Sequence, residues 1–302
     1  MRFTENEENR MNKKWDLLVV GKGPAGVSAA IYAARGGLEV LVIAKDGGAL
    51  EKAAHIENYY GTGLISGKEL LKKGEEQIVS LGVELRSEEV LSLGFAPDGW
   101  LVITDKGEYE GKNVLLATGV QRSAPKIPGL KELEGHGVSY CAVCDGFFFR
   151  NKGVAVIGGG EYALHEASVL LPLASSVTLL TNGQPIPENL PENLKADDRP
   201  IQKLVGETRL EQVEFASGEP LSVAGIFVAV GTAGGNDLAR KAGVPIQNNL
   251  PMVDENQMSP MPGLYLAGDL CGGMLQIAKA VYEGAKVGSH CVKQIKSEAT
   301  KG

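Results

Sequence analysis

The segment Cys141-Ala-Val-Cys144-Asp145-Gly146 carries the plainest chemistry in the chain. Two thiols separated by two residues can close a small disulfide ring and exchange with another disulfide. The same pair could also be half of a zinc site, which would need two further ligands. Cys271 and Cys291 form no second Cys-x-x-Cys, and His136 is the only histidine nearby, so no metal site is expected. His55, His165 and His290 are scattered without metal-ligand spacing. Asp145 beside the second thiol disfavours a thiolate there. It reads as a proton donor or relay, with a plain helix cap as the alternative.

A second constellation is Gly21-Lys-Gly23-Pro24-Ala25-Gly26, set between an apolar strand at Asp16–Val20 and an alanine-rich helix to about Arg35. In that context the first glycine makes the turn, the second lets backbone approach a pyrophosphate, and the third packs helix on strand. The helix N-terminal amides then meet the phosphate charge. The next strand, Glu39–Ile43, ends in Ala44-Lys45, where a carboxylate often holds the ribose; Asp46 is the nearest one. Gly158-Gly-Gly160, between Val154–Ile157 and a helix that stops near Pro172, repeats the plan, with Ser176–Leu180 as the following strand.

These motifs need strands and helices to hold them, and the chain supplies them twice. Each strand–helix–strand unit is followed by short strands, at 83–118 with turns at Pro97-Asp98-Gly99 and Lys106-Gly107, and again at 221–231. The expected fold class is α/β, with two Rossmann-like, three-layer ββα dinucleotide-binding domains, the second inserted into the first. The first would comprise 14–123 and 249–302, and the insert 124–248, with crossings at Pro125–Pro128 and Pro245–Pro251. Residues 1–13 read as a disordered extension, with Met11 as a second candidate start. Gly284 and Gly288, one turn apart on the last helix, suit close packing on its own domain.

Composition sets the outer bounds. Forty of 302 residues are glycine, about 13% against a usual ~7%, with no collagen period. Apolar residues make up 43%, too many for a disordered chain. Thirty basic against 37 acidic residues leave a net charge of −7, which argues against nucleic acid or an anionic membrane as partner. No apolar run approaches the ~18 residues of a membrane span. The N-terminus lacks the apolar core of a secretory signal, and four cysteines are not a disulfide framework. A cytoplasmic chain is expected.

Across nearly its whole length the chain resembles the low-molecular-weight, FAD-containing thioredoxin reductases. Gly21-Lys-Gly-Pro-Ala-Gly26, Gly47-Gly48, Ile56-Glu-Asn-Tyr59, Ala117-Thr-Gly119, Cys141-Ala-Val-Cys144-Asp-Gly146 and Leu266-Ala-Gly-Asp269 fall in the family's order and spacing. The resemblance implies FAD in the first domain, held by Gly21, Gly23, Pro24, Ala25 and Gly26, by Ala44, Lys45, Gly48 and Ala49, and by Asn58. Ala117, Thr118 and Gly119 would complete the nucleotide side, and Gly268, Asp269, Gln276, Ile277 and Ala278 the ribityl and flavin side. It further implies that Cys144 faces the flavin, Cys141 attacks the disulfide of thioredoxin, and Asp145 manages protons. Homodimerisation and rotation of one domain against the other come from the same resemblance. Cys271, two residues after Asp269, is either an extra redox partner or packing.

The second glycine unit departs from the NADPH-dependent members. After Leu180-Thr-Asn-Gly183 the first basic residue is Lys195, and Glu188 and Glu192 stand between them. The basic pair for a 2′-phosphate is missing, and no acid ends the strand for an NAD ribose. Glu161 and Tyr162 at the following helix would crowd a pyrophosphate. These departures, with Gly272-Gly-Met-Leu-Gln276 and Ala278-Lys-Ala-Val-Tyr-Glu-Gly284, resemble the ferredoxin-dependent flavin thioredoxin reductases. Ferredoxin is therefore the expected donor and thioredoxin the expected acceptor. The alternatives are NADPH or NADH with an atypical pocket, an FAD-dependent dithiol oxidase, or a flavin-bound redox sensor.

Overall fold

A computed structural model describes residues 13–119, 125–140, 142–230, 235–248 and 250–300. The expected N-terminal extension lies outside the described residues except for Lys13. That residue bonds Glu39 and Glu84 at 2.9 and 3.2 Å and lies over the Trp15 ring. The described residues form two compact units, one within 1–121 and 234–302, the other within 122–233.

The first unit begins with β1 (Lys14–Val20), α1 (Pro24–Arg35) and β2 (Val40–Ile43). Proline at the first helical turn and an alanine-rich interior favour α1, and Gly37 at φ +88° closes it. β2 is buried along its whole length, as a strand covered on both faces must be. Then come α2 (Gly67–Ser80), capped where the Ser66 hydroxyl accepts from Glu69 N–H, and the strands β3 (Glu84–Arg86), β4 (Val90–Ala96), β5 (Gly99–Thr104) and β6 (Glu108–Leu116). β3, β2, β1 and β6 run parallel, while β6, β5 and β4 form an antiparallel meander. β6 serves both: residues 108–111 pair with β5, and 114–116 pair with the late strand β17 (Leu264–Leu266).

The second unit repeats this plan. β7 (Val138–Ser139), α3 (Ala142–Asp145), β8 (Gly153–Ile157), α4 (Glu161–Leu170), β9 (Ser176–Leu180) and β10 (Lys195–Asp197) precede the strands β11 (Ile201–Val205), β12 (Gln212–Phe215), β13 (Leu221–Ser222) and β14 (Gly225–Val228). The parallel sheet runs β10-β9-β8-β14-β7, and β11-β12-β13 is the antiparallel meander. Both units are thus the expected Rossmann-like, dinucleotide-binding layout.

The second crossing differs from the expected one. α5 (Gly235–Lys241) packs on β4 and on β16 (Leu250–Pro251), and a Cβ on Gly235 would come within 2.2 Å of Thr118 Oγ1. Residues 235–248 therefore belong with the first unit. The prolines that suggested a crossing at 245–251 instead bound a small hairpin of β15 (Ile246–Gln247) with β16. Pro128 lies inside the second unit, its carbonyl accepting from Leu204 N–H.

The last helix, α6 (Ile277–Ala299), packs along α1. A Cβ on Gly284 would sit 2.0 Å from Ala25 O, and one on Gly288 2.5 Å from Ala29 O. The helices meet backbone to backbone, and any side chain there must push them apart. Gly284→Ala is expected to destabilise the chain by about 1–3 kcal/mol. An unchanged urea midpoint would show that the helices have slack.

Candidate functional site

The carboxyl end of the first parallel sheet gathers the expected cofactor residues. Gly21, at φ +109°, donates its N–H to Ile43 O at 2.8 Å, and a Cβ there would lie 2.4 Å from Ala117 O. A Cβ on Gly26 would lie 1.9 Å from Gly21 O. Around Gly23, by contrast, a Cβ would meet nothing. Gly23 is the N-cap of α1 and no side chain caps the helix, so its first amides face open space with the positive end of the helix dipole. Thr118, between Ala117 and Gly119 (φ +74°), has a buried hydroxyl with no partner among the described residues.

The end of β2 is occupied differently from the usual ribose site. Ala44 N–H donates to Arg86 O, and the Lys45 ammonium pairs with the buried carboxylate of Glu89. Asp46, the acid expected nearby, accepts from Gly48 N–H at 2.8 Å in a tight turn, and Ala49 caps the short helical turn Leu50–Lys52.

Asn58, Met274, Gln276, Ile277 and Ala278 line a cavity of about 420 Å³. The Asn58 amide donates to Gln276 Oε1 at 2.8 Å. Gln276 is the N-cap of α6, again without a side-chain cap, so a second helix N-terminus stands at the cavity. Asp269 sits in the turn Gly268–Cys271 after β17, and a Cβ on Gly268 would come 3.1 Å from Ala25 Cβ at the start of α1. Two residues missed in the sequence hold that turn. Lys279 donates to Gly268 O and Gly272 O at 2.7 and 2.6 Å and pairs with Glu283 at 3.0 Å. Glu283 in turn accepts from Gly268 N–H at 2.8 Å. Their i, i+4 spacing on an otherwise apolar stretch was the available signal. Burial, with Glu283 nearby, pushes the Cys271 thiol up to about 12, so it stays protonated and reads as packing.

In the second unit the dithiol segment follows β7. Cys141 lies outside the described residues, and of Cys144 only the helical backbone is described. Asp145 Oδ2 accepts from the Ser139 hydroxyl at 2.6 Å. Ala142 N–H donates to Glu166 Oε2 at 2.9 Å. Neither Ser139 nor Glu166 stood out in the sequence, although a carboxylate on the apolar face of α4 was a signal. Past Gly146, Phe149 turns inward, edge-on to Phe227 at 5.4 Å, while Phe147 and Phe148 are 67% and 70% exposed.

The second glycine turn keeps its form, since a Cβ on Gly158 would lie 2.2 Å from Ala229 O and Gly160 leaves α4 without a side-chain cap. Tyr162 is 1% exposed; it turns into the core and does not crowd the loop as expected. Beyond β9, however, the chain folds back on itself. Thr181 and Gly183 N–H donate to the carbonyls of Asp197 and Asp198, and Asn182 Oδ1 accepts from Ile201 N–H. Arg199 forks onto Asp197 at 2.6–3.1 Å, stacks over Phe215, and donates to the Ser217 and Glu219 carbonyls. That bonding holds the Asp197 carboxyl below its usual range.

Residues 15–284 match the family model described as pyridine nucleotide-disulphide oxidoreductase. The chain belongs to this family. Within it, the chain is 36% identical over 295 residues to a thioredoxin reductase of Aquifex aeolicus, covering 91% of each. Among solved structures it is similar to the atypical thioredoxin reductase TRi of Desulfovibrio vulgaris Hildenborough, with 36% identity, TM-score 0.88, and 94% and 99% of the two chains covered. It is also similar to a ferredoxin-flavin thioredoxin reductase of Clostridium acetobutylicum, with 27% identity, TM-score 0.69 and the same coverage. These family members are FAD-binding flavoproteins, and FAD is the cofactor of this chain. The residues present fit it: open amides at Gly23, an unpartnered hydroxyl at Thr118, and a cavity at the N-terminus of α6.

Glu283→Ala would leave the half-buried Lys279 ammonium without its carboxylate and release the Gly268 amide. Hydrogen bonds to charged groups contribute roughly 1.5–3 kcal/mol each, so FAD affinity of the apoprotein should fall about 10- to 100-fold. Fluorescence titration with FAD measures this, and an unchanged affinity would remove the turn from the binding site.

Proposed function

We propose that this family member is a thioredoxin reductase that draws its electrons from reduced ferredoxin and passes them through FAD to the Cys141/Cys144 dithiol. The observation that carries the donor is the end of β9, where a Rossmann unit recognises the nucleotide ribose or its 2′-phosphate. Thr181 and Gly183 amides are taken there, no basic side chain stands between Leu180 and Lys195, and Arg199 beyond it is tied to Asp197. The likeness to an atypical thioredoxin reductase and to a ferredoxin-flavin thioredoxin reductase supports the same reading. One feature favours the nucleotide alternative, the uncapped α4 behind Gly158–Gly160, so NADPH and NADH belong in the test.

FAD, when bound, supplies a carrier that accepts electrons singly and releases them as a pair. Gly23 and the first amides of α1 would hold its pyrophosphate, Asp269 its ribityl side, and Gln276, Ile277 and Ala278 the pyrimidine edge. A helix N-terminus at that edge favours negative charge on the ring. Two electrons and two protons would convert the Cys141–Cys144 disulfide to a dithiol. The Cys141 thiolate attacks one sulfur of the thioredoxin disulfide, forming a mixed disulfide and releasing the other sulfur as a thiolate. Cys144 displaces Cys141's partner sulfur, which restores the ring and leaves reduced thioredoxin. Asp145, oriented by Ser139, moves the protons. Phe147 and Phe148, exposed beside the dithiol, give the protein substrate an apolar docking face.

Photochemically reduced ferredoxin is expected to bleach the flavin absorbance under anaerobic conditions and to support thioredoxin turnover. The missing charge-assisted bonds, at roughly 1.5–3 kcal/mol each, would weaken NADPH binding by on the order of 10² to 10⁴ fold. Fast bleaching by NADPH or NADH would overturn the donor. Cys141→Ser and Cys144→Ser should abolish turnover with FAD still bound, and a variant that still turns over would remove the dithiol.

Truncating Phe147 or Phe148 to Ala should raise the KM for thioredoxin about 10-fold or more, the scale of one lost aromatic burial. The rate of flavin bleaching by the donor should not change. Equal KM values would place docking elsewhere.

A further inference from the structure

Glu166, on α4 in the second unit, is 1% exposed, and no acid among the described residues is more deeply buried. Its Oε2 receives the N–H of Ala142, the residue that follows Cys141, at 2.9 Å. A thiolate in a Cys-x-x-Cys turn gains from nearby backbone N–H donors and positive charge, which lower its pKa and make the pair more oxidising. Here the donor next to the first cysteine is spent on a carboxylate. A second carboxylate, Asp145, ends the same turn and is itself held by Ser139. Negative charge on that turn disfavours thiolate and so takes away stabilisation of the reduced form relative to the disulfide. The pair is thereby a stronger reductant, as a donor to other disulfides requires.

We propose that Glu166 is a positioning residue that fixes the turn through the Ala142 amide and, by its charge, holds the Cys141/Cys144 pair at a more reducing potential. The proposal rests on the dithiol reading above, and concerns the exchange in which two glutathione thiols are oxidised to one glutathione disulfide as the Cys141–Cys144 disulfide becomes a dithiol.

The test equilibrates the FAD-loaded chain in glutathione buffers, alkylates the free thiols, and measures the fraction of disulfide in the peptide spanning Cys141 and Cys144. Glu166→Gln keeps an oxygen for the Ala142 amide and removes the charge. Its equilibrium should move about 10-fold towards the dithiol, a potential about 30 mV higher, with flavin absorbance retained. Glu166→Asp keeps the charge and should stay within about 3-fold of the parent chain. An unshifted Glu166→Gln, or Glu166→Asp shifted as far as Glu166→Gln, would overturn the proposal. So would a Glu166→Gln chain that fails to fold, because the side chain would then be a strut. A parent chain that forms no Cys141–Cys144 disulfide in any buffer would overturn the dithiol reading itself.

Discussion

Three segments meet at the start of α1, two of them with no room for a side-chain carbon and the third with a tight fit. Gly26 lies against Gly21 O, Gly284 against Ala25 O, and Gly268 against the Ala25 methyl group. Bringing backbone this close is what leaves amide donors facing a ligand, and only glycine permits it. The rest of the first unit follows from that contact. α6 must lie tight on α1, β17 must enter beside β6, and the turn carrying Asp269 must end within reach of the first glycine loop.

The two units share one plan but use it differently. At the end of β2, Lys45 and Glu89 form an ion pair where a lone acid is usual, while the amides of α1 stay open. At the end of β9 the loop bonds to residues 197–201, and a forked arginine is spent on its own neighbour. A shared fold therefore does not fix what is bonded at the end of its second strand. The second unit still positions the turn that carries the dithiol, which needs only β7, α3 and α4.

What was legible in the sequence was local. A strand, a glycine turn and a helix are written within about 20 residues, so both βαβ units could be read, as could the Cys-x-x-Cys-Asp segment. Asn58, Gln276, Ile277 and Ala278, named from the family pattern, share one cavity. The supporting side chains were not legible, because their partners are distant in the chain: Glu166 reaches Ala142 across 24 residues, and Glu283 reaches Gly268 across 15. The crossing at 245–251 was misplaced for a related reason. Prolines mark a break in regular structure without saying on which side the chain next finds a core, and α5 finds it on β4.

The split first unit also bears on how the chain is made. Its sheet is begun by β1 and completed by β17, and its glycine loop is backed by a helix that runs to residue 299. The second unit, by contrast, is a continuous stretch and is synthesised whole before β17 exists. On the ribosome, the second unit can fold while the first still exposes the apolar face of α1 and an unpaired edge of β6. That face of α1 is covered only once the final helix arrives. The interval between those two events is when a chaperone would find most to hold.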